Sequence, residues 1–448
     1  MWHVPSQHGV VGVTRRRDVL RAVGGAGALG ATAVAADAVA GSALAGTTGQ
    51  SGDDLPPAQP DRGEPRAYED YTVHRVPEAY DTIQAAVNAA DPEDLVLVGP
   101  GTYHEAVTVT DTPRLTIRGT DRNDVVLDGE FKREDGVLAT VDDVVVENVT
   151  ARNYVRNGFF WSGVSGWRGS YLTAYNNQVY GIYNIDSQHG RYEHSYASGH
   201  TDSGFYIGQC KPCHAIIADV RSEHNAIGYS GTNAGGYLTV KDSVFRRNMG
   251  GIVPNSLDSE ADPPQDSARI ENNLVEANNN AGAPDESFGY AAFGTGINVA
   301  GGTNNEVFGN TVRDHVNFGV VAVPMVDENV YPPTGNVFRD NDVSNSGRAD
   351  LAVGAPEDGG NVFEDNRAGR TRPAGLGDGS NLLGGDPWVT MVLFEQFTQL
   401  DRGEAPRGDW RSSPEPPFDE LESMPGAETE PPREAVRKDG DDAARRAA

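Results

Sequence analysis

The chain has 448 residues, of which 38% are hydrophobic and 8% aromatic, and it contains 54 glycines. A typical globular protein has about 45–50% apolar residues and about 7% glycine, so this composition argues against a large helical core and favours a turn-rich all-β protein. The net charge of −29 argues against nucleic acid as a partner, because so acidic a chain repels phosphates, and it is typical of proteins adapted to concentrated salt.

The first 45 residues are predicted to be a signal peptide. Arg16–Leu20 resembles the twin-arginine export motif, and the weakly apolar stretch that follows is interrupted by Asp37. Ala43–Ala45 is a candidate cleavage site, so we expect the signal to be removed, with a retained N-terminal anchor as the alternative. The expected location is therefore outside the cell or on its surface, with no membrane span after signal removal. Residues 46–67 are predicted to be a disordered linker.

Apolar spacing then predicts a short helix over residues 80–90, with Asp81 as its N-cap. The apolar positions of this helix recur at helical spacing: Ile83, Ala86, Val87 and Ala90. Three short strands are predicted after it, at Leu95–Val98, Leu115–Gly119 and Val125–Gly129.

An internal repeat of about 23 residues organises the middle of the chain. Its marker is a glycine followed by an apolar residue, and both Gly158 to Gly181 and Gly181 to Gly204 are 23 residues apart. The markers are Gly158, Gly181, Gly204, Gly228, Gly251, Gly296 and Gly319. So short a unit holds two or three strands but no full helix, and it cannot bury its inward face alone, so the units must stack.

The prediction is a single right-handed parallel β-helix of roughly ten coils over residues 68–382, with the helix at residues 80–90 covering its N-terminal end. Asparagine and glycine accept the positive φ angles that tight corners need. Inward asparagine side chains are expected to stack from coil to coil and to hydrogen-bond along the axis.

Three segments carry a family resemblance. Thr82–Val87, Gly99–Glu105 and Leu115–Gly119 resemble the opening of right-handed parallel β-helix proteins of the pectate-lyase-like superfamily. The resemblance implies the fold, but the superfamily includes pectate lyases, pectin methylesterases, polygalacturonases, alginate epimerases, non-catalytic surface proteins and a periplasmic accessory protein. The catalytic signatures of its best-known enzymes do not occur in this sequence, so the fold does not settle the chemistry.

The residues that follow each marker predict a row on the outside of the solenoid. If the residue after the glycine points inward, the next one points outward. We name this set the outward row: Phe160, Tyr183, Tyr206, Ser230, Val253, Asn298 and Val321. Its three aromatic members, Phe160, Tyr183 and Tyr206, are candidate substrate-binding residues, since sugar rings stack on such side chains. The alternative is an aromatic row that only packs against a loop.

Ionisable residues cluster in the same coils. Asp186, His189, His200 and Asp202 are candidate catalytic residues, because histidine transfers protons near neutral pH and a carboxylate can orient it. Carboxylates could instead bind Ca²⁺, which would neutralise a uronic-acid substrate. The alternative is a set of exposed corner residues without a shared role.

Two insertions interrupt the repeat, at Asn255–Asp266 and Ala281–Phe293. The first contains Asp258, Glu260 and Asp262. Insertions in solenoids become loops on a side face, often the binding face. We expect these acidic loops either to bind Ca²⁺ or to carry salt-adapted surface charge.

The chain contains two cysteines, Cys210 and Cys213. Together with His214 they match the pattern of c-type haem attachment, but they lie inside a regular coil. A short-loop disulfide is the first expectation for an exported protein, with free thiols, a metal site and haem as alternatives.

Two segments follow the repeats. Residues 383–400 contain an apolar run, Trp388–Leu400, that could cover the C-terminal end of the solenoid. Residues 401–448 are rich in proline and charge and are predicted to be a disordered tail.

Three functions remain open on these residues. The first is a polysaccharide lyase, hydrolase or epimerase that acts on an acidic, uronic-acid-rich glycan. The second is a non-catalytic exported protein that binds glycans at the cell surface. The third is a periplasmic accessory protein that delivers a metal or cofactor through Cys210, Cys213 and nearby histidines. In each case we expect a monomer.

Overall fold

The computed structural model describes residues 67–286, 289–377 and 384–432. The predicted signal peptide, nearly all of the predicted linker and residues 433–448 of the predicted tail lie outside the described residues. In the part that is described, no helix is both long and apolar enough to cross a membrane.

Short strands dominate the chain and assemble into three parallel sheets. Sheet 1 has twelve strands: β1 Val73–Val76, β2 Leu95–Val98, β5 Thr116–Gly119, β8 Val144–Glu147, β11 Ser165–Ser170, β14 Gln188–Glu193, β17 Ala215–Ala218, β20 Gly235–Lys241, β23 Asp266–Glu271, β26 Glu306–Phe308, β31 Val337–Arg339 and β34 Val362–Glu364. Sheet 2 has eleven: β3 Gly101–Tyr103, β6 Val125–Asp128, β9 Thr150–Arg152, β12 Thr173–Tyr175, β15 Tyr196–Ser198, β18 Arg221–Glu223, β21 Val244–Arg246, β24 Leu274–Glu276, β27 Thr311–Arg313, β32 Asp342–Ser344 and β35 Arg367–Ala368.

Sheet 3 also has eleven strands, and it carries the outward row. They are β4 Val107–Val109, β7 Asp135–Ala139, β10 Asn157–Ser162, β13 Tyr180–Ile185, β16 Ser203–Gly208, β19 Ile227–Thr232, β22 Gly250–Asn255, β25 Thr295–Ala300, β28 Phe318–Val323, β33 Ala349–Val353 and β36 Thr371–Arg372. A separate antiparallel hairpin joins β29 Met325–Val326 to β30 Val330–Tyr331. Each strand of the three sheets pairs with its equivalent one repeat away, so the prediction of a single right-handed parallel β-helix is confirmed.

The predicted alternation is also confirmed. Phe159, Ile182 and Phe205 are fully buried in the interior, and the residue after each belongs to the outward row. The interior of these coils is filled by large aromatic rings, with Trp161, Trp167 and Tyr192 in mutual contact. Burial of these inward faces between stacked coils is the main stabilising contribution.

Asparagine ladders run along the interior corners, as the sequence predicts. Asn273, Asn310 and Asn341 form one ladder, in which the side-chain carbonyls of Asn310 and Asn341 accept from the backbone and side-chain amides of the preceding asparagine at 2.9–3.1 Å. Asn305, Asn336 and Asn361 form another. Each coil therefore satisfies the polar corner groups of the next, which stabilises the stacking order.

Helix α1, Ile83–Ala89, packs its buried Ile83, Ala86 and Val87 on the first coils. Its N-cap is Thr82, whose hydroxyl accepts from the Ala85 amide, so the prediction of Asp81 as N-cap is wrong by one residue. The Glu105 carboxylate accepts hydrogen bonds of 3.0 Å each from the backbone amides of Ile83 and Gln84. Its negative charge balances the positive end of the helix dipole.

Helix α2, Pro387–Asp401, lies along the side of the solenoid and not across its C-terminal end, which corrects the expectation for residues 383–400. Val389 and Leu393 of α2 pack on apolar residues of β28 and β33, among them Val321 and Ala352. The last coils present apolar residues on the outer face of sheet 3, and α2 buries them.

Residues 402–432 continue from α2 and lie against the solenoid, so the prediction of a disordered tail is wrong for this part. We name them the strap. The fully buried Arg118 donates to the carbonyl oxygens of Glu430 and Pro431 at 2.7 and 3.1 Å. Asn148 accepts from the Met424 amide at 2.8 Å. The composition of the strap predicts disorder, because it does not reveal these bonds. The solenoid supplies the side chains that make them.

Candidate functional site

A cleft of about 240 Å³ lies over the outer face of sheet 3. Its floor is the outward row from Tyr206 to Asn298 with neighbouring residues of β28, a span of five strands or ~19 Å along the axis. Its walls are residues 257–260 of the first insertion, the β29–β30 hairpin, the turn at Gly289–Ala292 and α2. The cleft is therefore built where insertions leave the regular coil, as binding sites of solenoids commonly are.

Glu260 is the central polar residue of the cleft. Its Oε2 accepts a hydrogen bond of 2.7 Å from the hydroxyl of Tyr206, which is only 2% exposed. The pKa of Glu260 is raised to about 7, mainly by burial and to a smaller extent by nearby Asp202, while the bonds from Tyr206 and Gln209 oppose the shift. A carboxyl with a pKa near neutral can both donate and accept a proton under ordinary conditions, which is the property of a general acid or base.

Asp202 provides a second carboxylate at the same end of the cleft. Its Oδ2 accepts a hydrogen bond of 3.3 Å from Tyr180. Among the described residues that line the cleft, Asp202 and Glu260 are the only ones with a formal charge. The cleft is therefore negative and contains no cation to neutralise an acidic ligand.

Asp258 holds the loop that carries Glu260. The Asp258 carboxylate accepts from the backbone and side-chain amides of Asn329 at 2.6 Å each and from the Tyr331 hydroxyl. The Asp258 amide donates to Asp327 at 2.9 Å. These bonds join the first insertion to the β29–β30 hairpin, so two walls of the cleft form one unit.

The three predicted aromatic residues lie together on sheet 3. Phe160 and Tyr183 stack with centroids 4.5 Å apart, and Tyr206 meets Tyr183 edge-on at 5.0 Å. Phe160 is half-exposed, whereas Tyr183 and Tyr206 are buried. The expectation of an open aromatic platform is therefore corrected: Tyr206 contributes to the cleft floor, and Tyr183 is packed between rings.

His200 lies inside the solenoid and not at its surface. Its side chain is fully buried, with Nδ1 and Nε2 at 3.0 and 3.3 Å from the carbonyl oxygens of Asn177 and Ala174. Asn177 and Asn225 occupy the equivalent corner of the neighbouring coils. Burial lowers the pKa of His200 to about 4. The structure thus places His200 out of reach of any substrate, as a ladder residue in an asparagine position.

Asp186 lies at the other end of the sheet 3 strands, and His189 lies in β14 of sheet 1. Asp186 is an exposed corner residue directly after β13, whereas Asp202 directly precedes β16. A six-residue strand separates the two ends by ~20 Å. His189 stacks on His214 with centroids 4.6 Å apart. The structure does not bring the four predicted catalytic residues together, and of these only Asp202 lies in the cleft.

Cys210 and Cys213 are joined in a disulfide with their Cα atoms 4.7 Å apart. Both residues are buried within the coil. Within the described part of the chain, no three His, Cys, Asp or Glu side chains are placed to hold a metal ion.

Glu260 and Asn298 are cleft residues that the sequence did not single out as catalytic or substrate-binding. Glu260 belongs to the first acidic insertion, and an insertion beside the outward row was itself a signal for a side-face site. The helical wall could not be found this way, because α2 follows the last coil and reaches the cleft only through the tertiary fold.

Comparison with known proteins gives one family match and several structural likenesses. Residues 157–325 match the family model described as a right handed beta helix region. Among curated protein sequences no match was found.

Three solved structures illustrate the structural likenesses. The A-module of a mannuronan C-5 epimerase from Azotobacter vinelandii is 14% identical, with a TM-score of 0.42 over 64% of this chain and 90% of that one. An alginate lyase from Paenibacillus sp. is 15% identical, with a TM-score of 0.43 over 64% and 95%. DFA-IIIase from Arthrobacter chlorophenolicus is 9% identical, with a TM-score of 0.46 over 66% and 94%. At these values we draw no functional conclusion from them.

Proposed function

We propose that the cleft over sheet 3 binds a saccharide and that Glu260 acts on it as a general acid. The observation that carries this proposal is the geometry of Glu260, a half-buried carboxyl held by Tyr206 in a cavity, with a pKa of about 7. A largely apolar cavity with a few convergent polar groups and a perturbed titratable residue is the usual form of an enzyme site.

The proposed reaction is hydrolysis of a glycosidic bond. Protonated Glu260 donates its proton to the glycosidic oxygen as the bond to the sugar carbon breaks. A water molecule then adds its hydroxyl group to that carbon and gives its remaining proton to the Glu260 carboxylate, which restores the acid. The Asp202 carboxylate stabilises the positive charge that develops on the sugar. Tyr206 donates to Glu260 and so fixes the orientation of the carboxyl.

The charges of the cleft favour a neutral saccharide over the acidic glycan expected from the sequence. A lyase or epimerase removes a proton beside a substrate carboxylate, and positively charged groups or hydrogen-bond donors stabilise the negative charge that this step adds. The lining carries Asp202 and Glu260 and no lysine or arginine. The Asp202 carboxylate would repel a uronic acid, as would Glu260 in its ionised form, and neither opposes a neutral ligand.

Export by the twin-arginine route stays part of the proposal on the strength of the Arg16–Leu20 motif. The disulfide of Cys210 and Cys213 supports it, because disulfides persist mainly in oxidising compartments.

The test incubates the mature protein with neutral and uronic-acid oligosaccharides, with and without Ca²⁺, and measures reducing ends and unsaturated products. We expect reducing ends from a neutral substrate, independent of Ca²⁺, and a 10²–10⁴-fold loss of turnover in Glu260→Gln. The matched control is Glu364→Gln, an exposed carboxyl on sheet 1, with unchanged turnover. Unsaturated products from uronates would contradict the proposal. Binding without turnover would leave a non-catalytic glycan-binding protein as the function.

A further inference from the structure

The cleft over sheet 3 differs in chemistry between its two ends. Asp202, Tyr206 and Glu260 lie at the end on β16. The other end lies over β28, ~19 Å away along the axis. We name it the apolar end, and its lining residues are Val323 of β28, Met325 and Val326 of the β29–β30 hairpin, and Leu393 and Phe394 of α2.

Apolar side chains at this end stay in contact with solvent. Met325, Val326 and Phe394 are only half-buried, although they line a cavity. Thr390 also lines this end, and its hydroxyl already donates to the carbonyl oxygen of Ala355 at 2.7 Å. The hydroxyl groups of a sugar need hydrogen-bond partners, which the side chains of the apolar end do not supply. An apolar group placed here would instead be removed from water together with the side chains that it covers.

The proposed reaction determines which part of a substrate meets each end. Glu260 protonates the glycosidic oxygen and Asp202 stabilises the charge on the sugar, so the sugar lies at the end on β16. The leaving group is bonded to the same oxygen, and the cleft continues from there along its floor towards α2. The leaving group would therefore extend over Val253 and Ala300 to the apolar end.

We infer that the substrate is a neutral glycoside whose leaving group is an apolar alcohol, as in an alkyl glycoside or a glycolipid. The sugar binds beside Asp202 and Glu260, and the alkyl chain is buried at the apolar end. None of the described residues that line this end carries a charge, so a charged leaving group would lose its hydration there without compensation. This inference rests on the proposed function.

The experiment measures the binding of octyl and methyl glycosides of glucose, galactose and mannose by calorimetry, with octan-1-ol as the ligand that lacks a sugar. All proteins carry Glu260→Gln, so that no glycoside is consumed, and the octyl glycosides are kept below the concentration at which they form micelles. Phe394→Gln alters α2 and Val326→Gln alters the hairpin, so each variant tests a different wall. The matched control is Met391→Gln, since Met391 is an exposed residue of α2 outside the cleft lining.

We expect at least one octyl glycoside to bind about tenfold or more tightly than both its methyl counterpart and octan-1-ol, because buried methylene groups and sugar hydrogen bonds each add affinity. Phe394→Gln and Val326→Gln should each weaken the octyl glycoside about fivefold and leave the methyl glycoside unchanged, since only the chain reaches these residues. Met391→Gln should change neither. Thermal unfolding checks that each variant folds, and the two walls give independent tests.

Three results would overturn the inference. One is equal binding of the octyl and methyl glycosides of every sugar, and another is an octyl preference that survives both Phe394→Gln and Val326→Gln. With either result, a glycoside that still binds leaves the proposed function standing. The third is octan-1-ol that binds as tightly as every octyl glycoside, which would make the cleft a site for an apolar ligand without a sugar and would overturn the proposed function too. If no ligand binds, both fail.

Discussion

Asn248 and Asn298 are both buried asparagines of the same solenoid, but only one has partners. Asn248 lies in an interior corner, where its Oδ1 accepts from Asn225 and its Nδ2 donates to Ser222 and Asn278. Asn298 lies on the outer face, where its Oδ1 has no partner in the described chain. The interior corners and the cleft therefore differ in how they satisfy one residue type.

The difference follows from the stacking of coils. In an interior corner each coil places an equivalent residue one repeat away, so a polar group finds its partner in the next coil. At the cleft the insertions and α2 interrupt this regularity, and polar groups face a cavity. At the cleft this includes Glu260, whose pKa is raised to about 7, whereas the asparagine ladders satisfy the interior corners.

The largest effect is expected from breaking an interior ladder. Asn248→Leu leaves Asn225, Ser222 and Asn278 with lost hydrogen bonds in a buried corner. We expect a loss of about 2–4 kcal/mol in the free energy of unfolding, since each unsatisfied buried group costs about 1–3 kcal/mol. Urea unfolding measures it, with Asn298→Leu as the contrasting variant of opposite sign. An undiminished stability in Asn248→Leu would remove the distinction between the two regions.

The next effect is a pH dependence that belongs to the cleft. The pKa of Glu260 is raised to about 7 from an ordinary value near 4.5, so its neutral form is favoured in the folded state. This contribution to stability is fully present below about pH 4.5 and is lost as the pH rises towards 7. The loss is at most about 3 kcal/mol. Unfolding measured from pH 4 to 8 should show this slope in the natural chain but not in Glu260→Gln.

The opposite pH dependence is expected from the interior. Burial lowers the pKa of His200 to about 4, so its neutral form is favoured in the folded state, and stability is lost as the pH falls from about 6.5 towards 4. His200→Asn should reduce this acid-side loss. At pH 7 we expect it to change the free energy of unfolding by less than about 1 kcal/mol, because asparagine fills the equivalent corner at Asn177 and Asn225. A loss of saccharide turnover in this variant would show that the residue acts in catalysis after all.

The smallest effect is expected from the hydrogen bond that joins Tyr206 on the cleft floor to Glu260 on the cleft wall. Tyr206→Phe removes the hydrogen bond to Glu260 that opposes the upward pKa shift, so the pKa of Glu260 should rise further. A general acid with a higher pKa stays protonated at higher pH. The descending limb of the pH–rate profile should therefore move to higher pH, with a modest fall in turnover. A limb that stays in place would mean that Glu260 is not the titrating acid.

Most of the fold could be predicted from the repeat. The 23-residue spacing of Gly158, Gly181 and Gly204 predicted parallel coils, an interior and an outward row, because identical units can bury their inward faces only by stacking in register. The same period could have placed His200, which follows Asn177 by 23 residues. His200 is instead predicted at a surface site, because corner residues do not alternate between inward and outward positions as strand residues do.

The tertiary structure alone decided the cleft and the strap. Glu260 reaches Tyr206 across 54 residues, and Arg118 reaches Glu430 across 312, so no local pattern records either contact. Periodicity determines how a coil stacks on its neighbour, since that geometry repeats at every step. An insertion or a terminal helix has no equivalent in the next coil, so its position depends on which exposed apolar surface it covers, and that surface exists only once the coils have stacked.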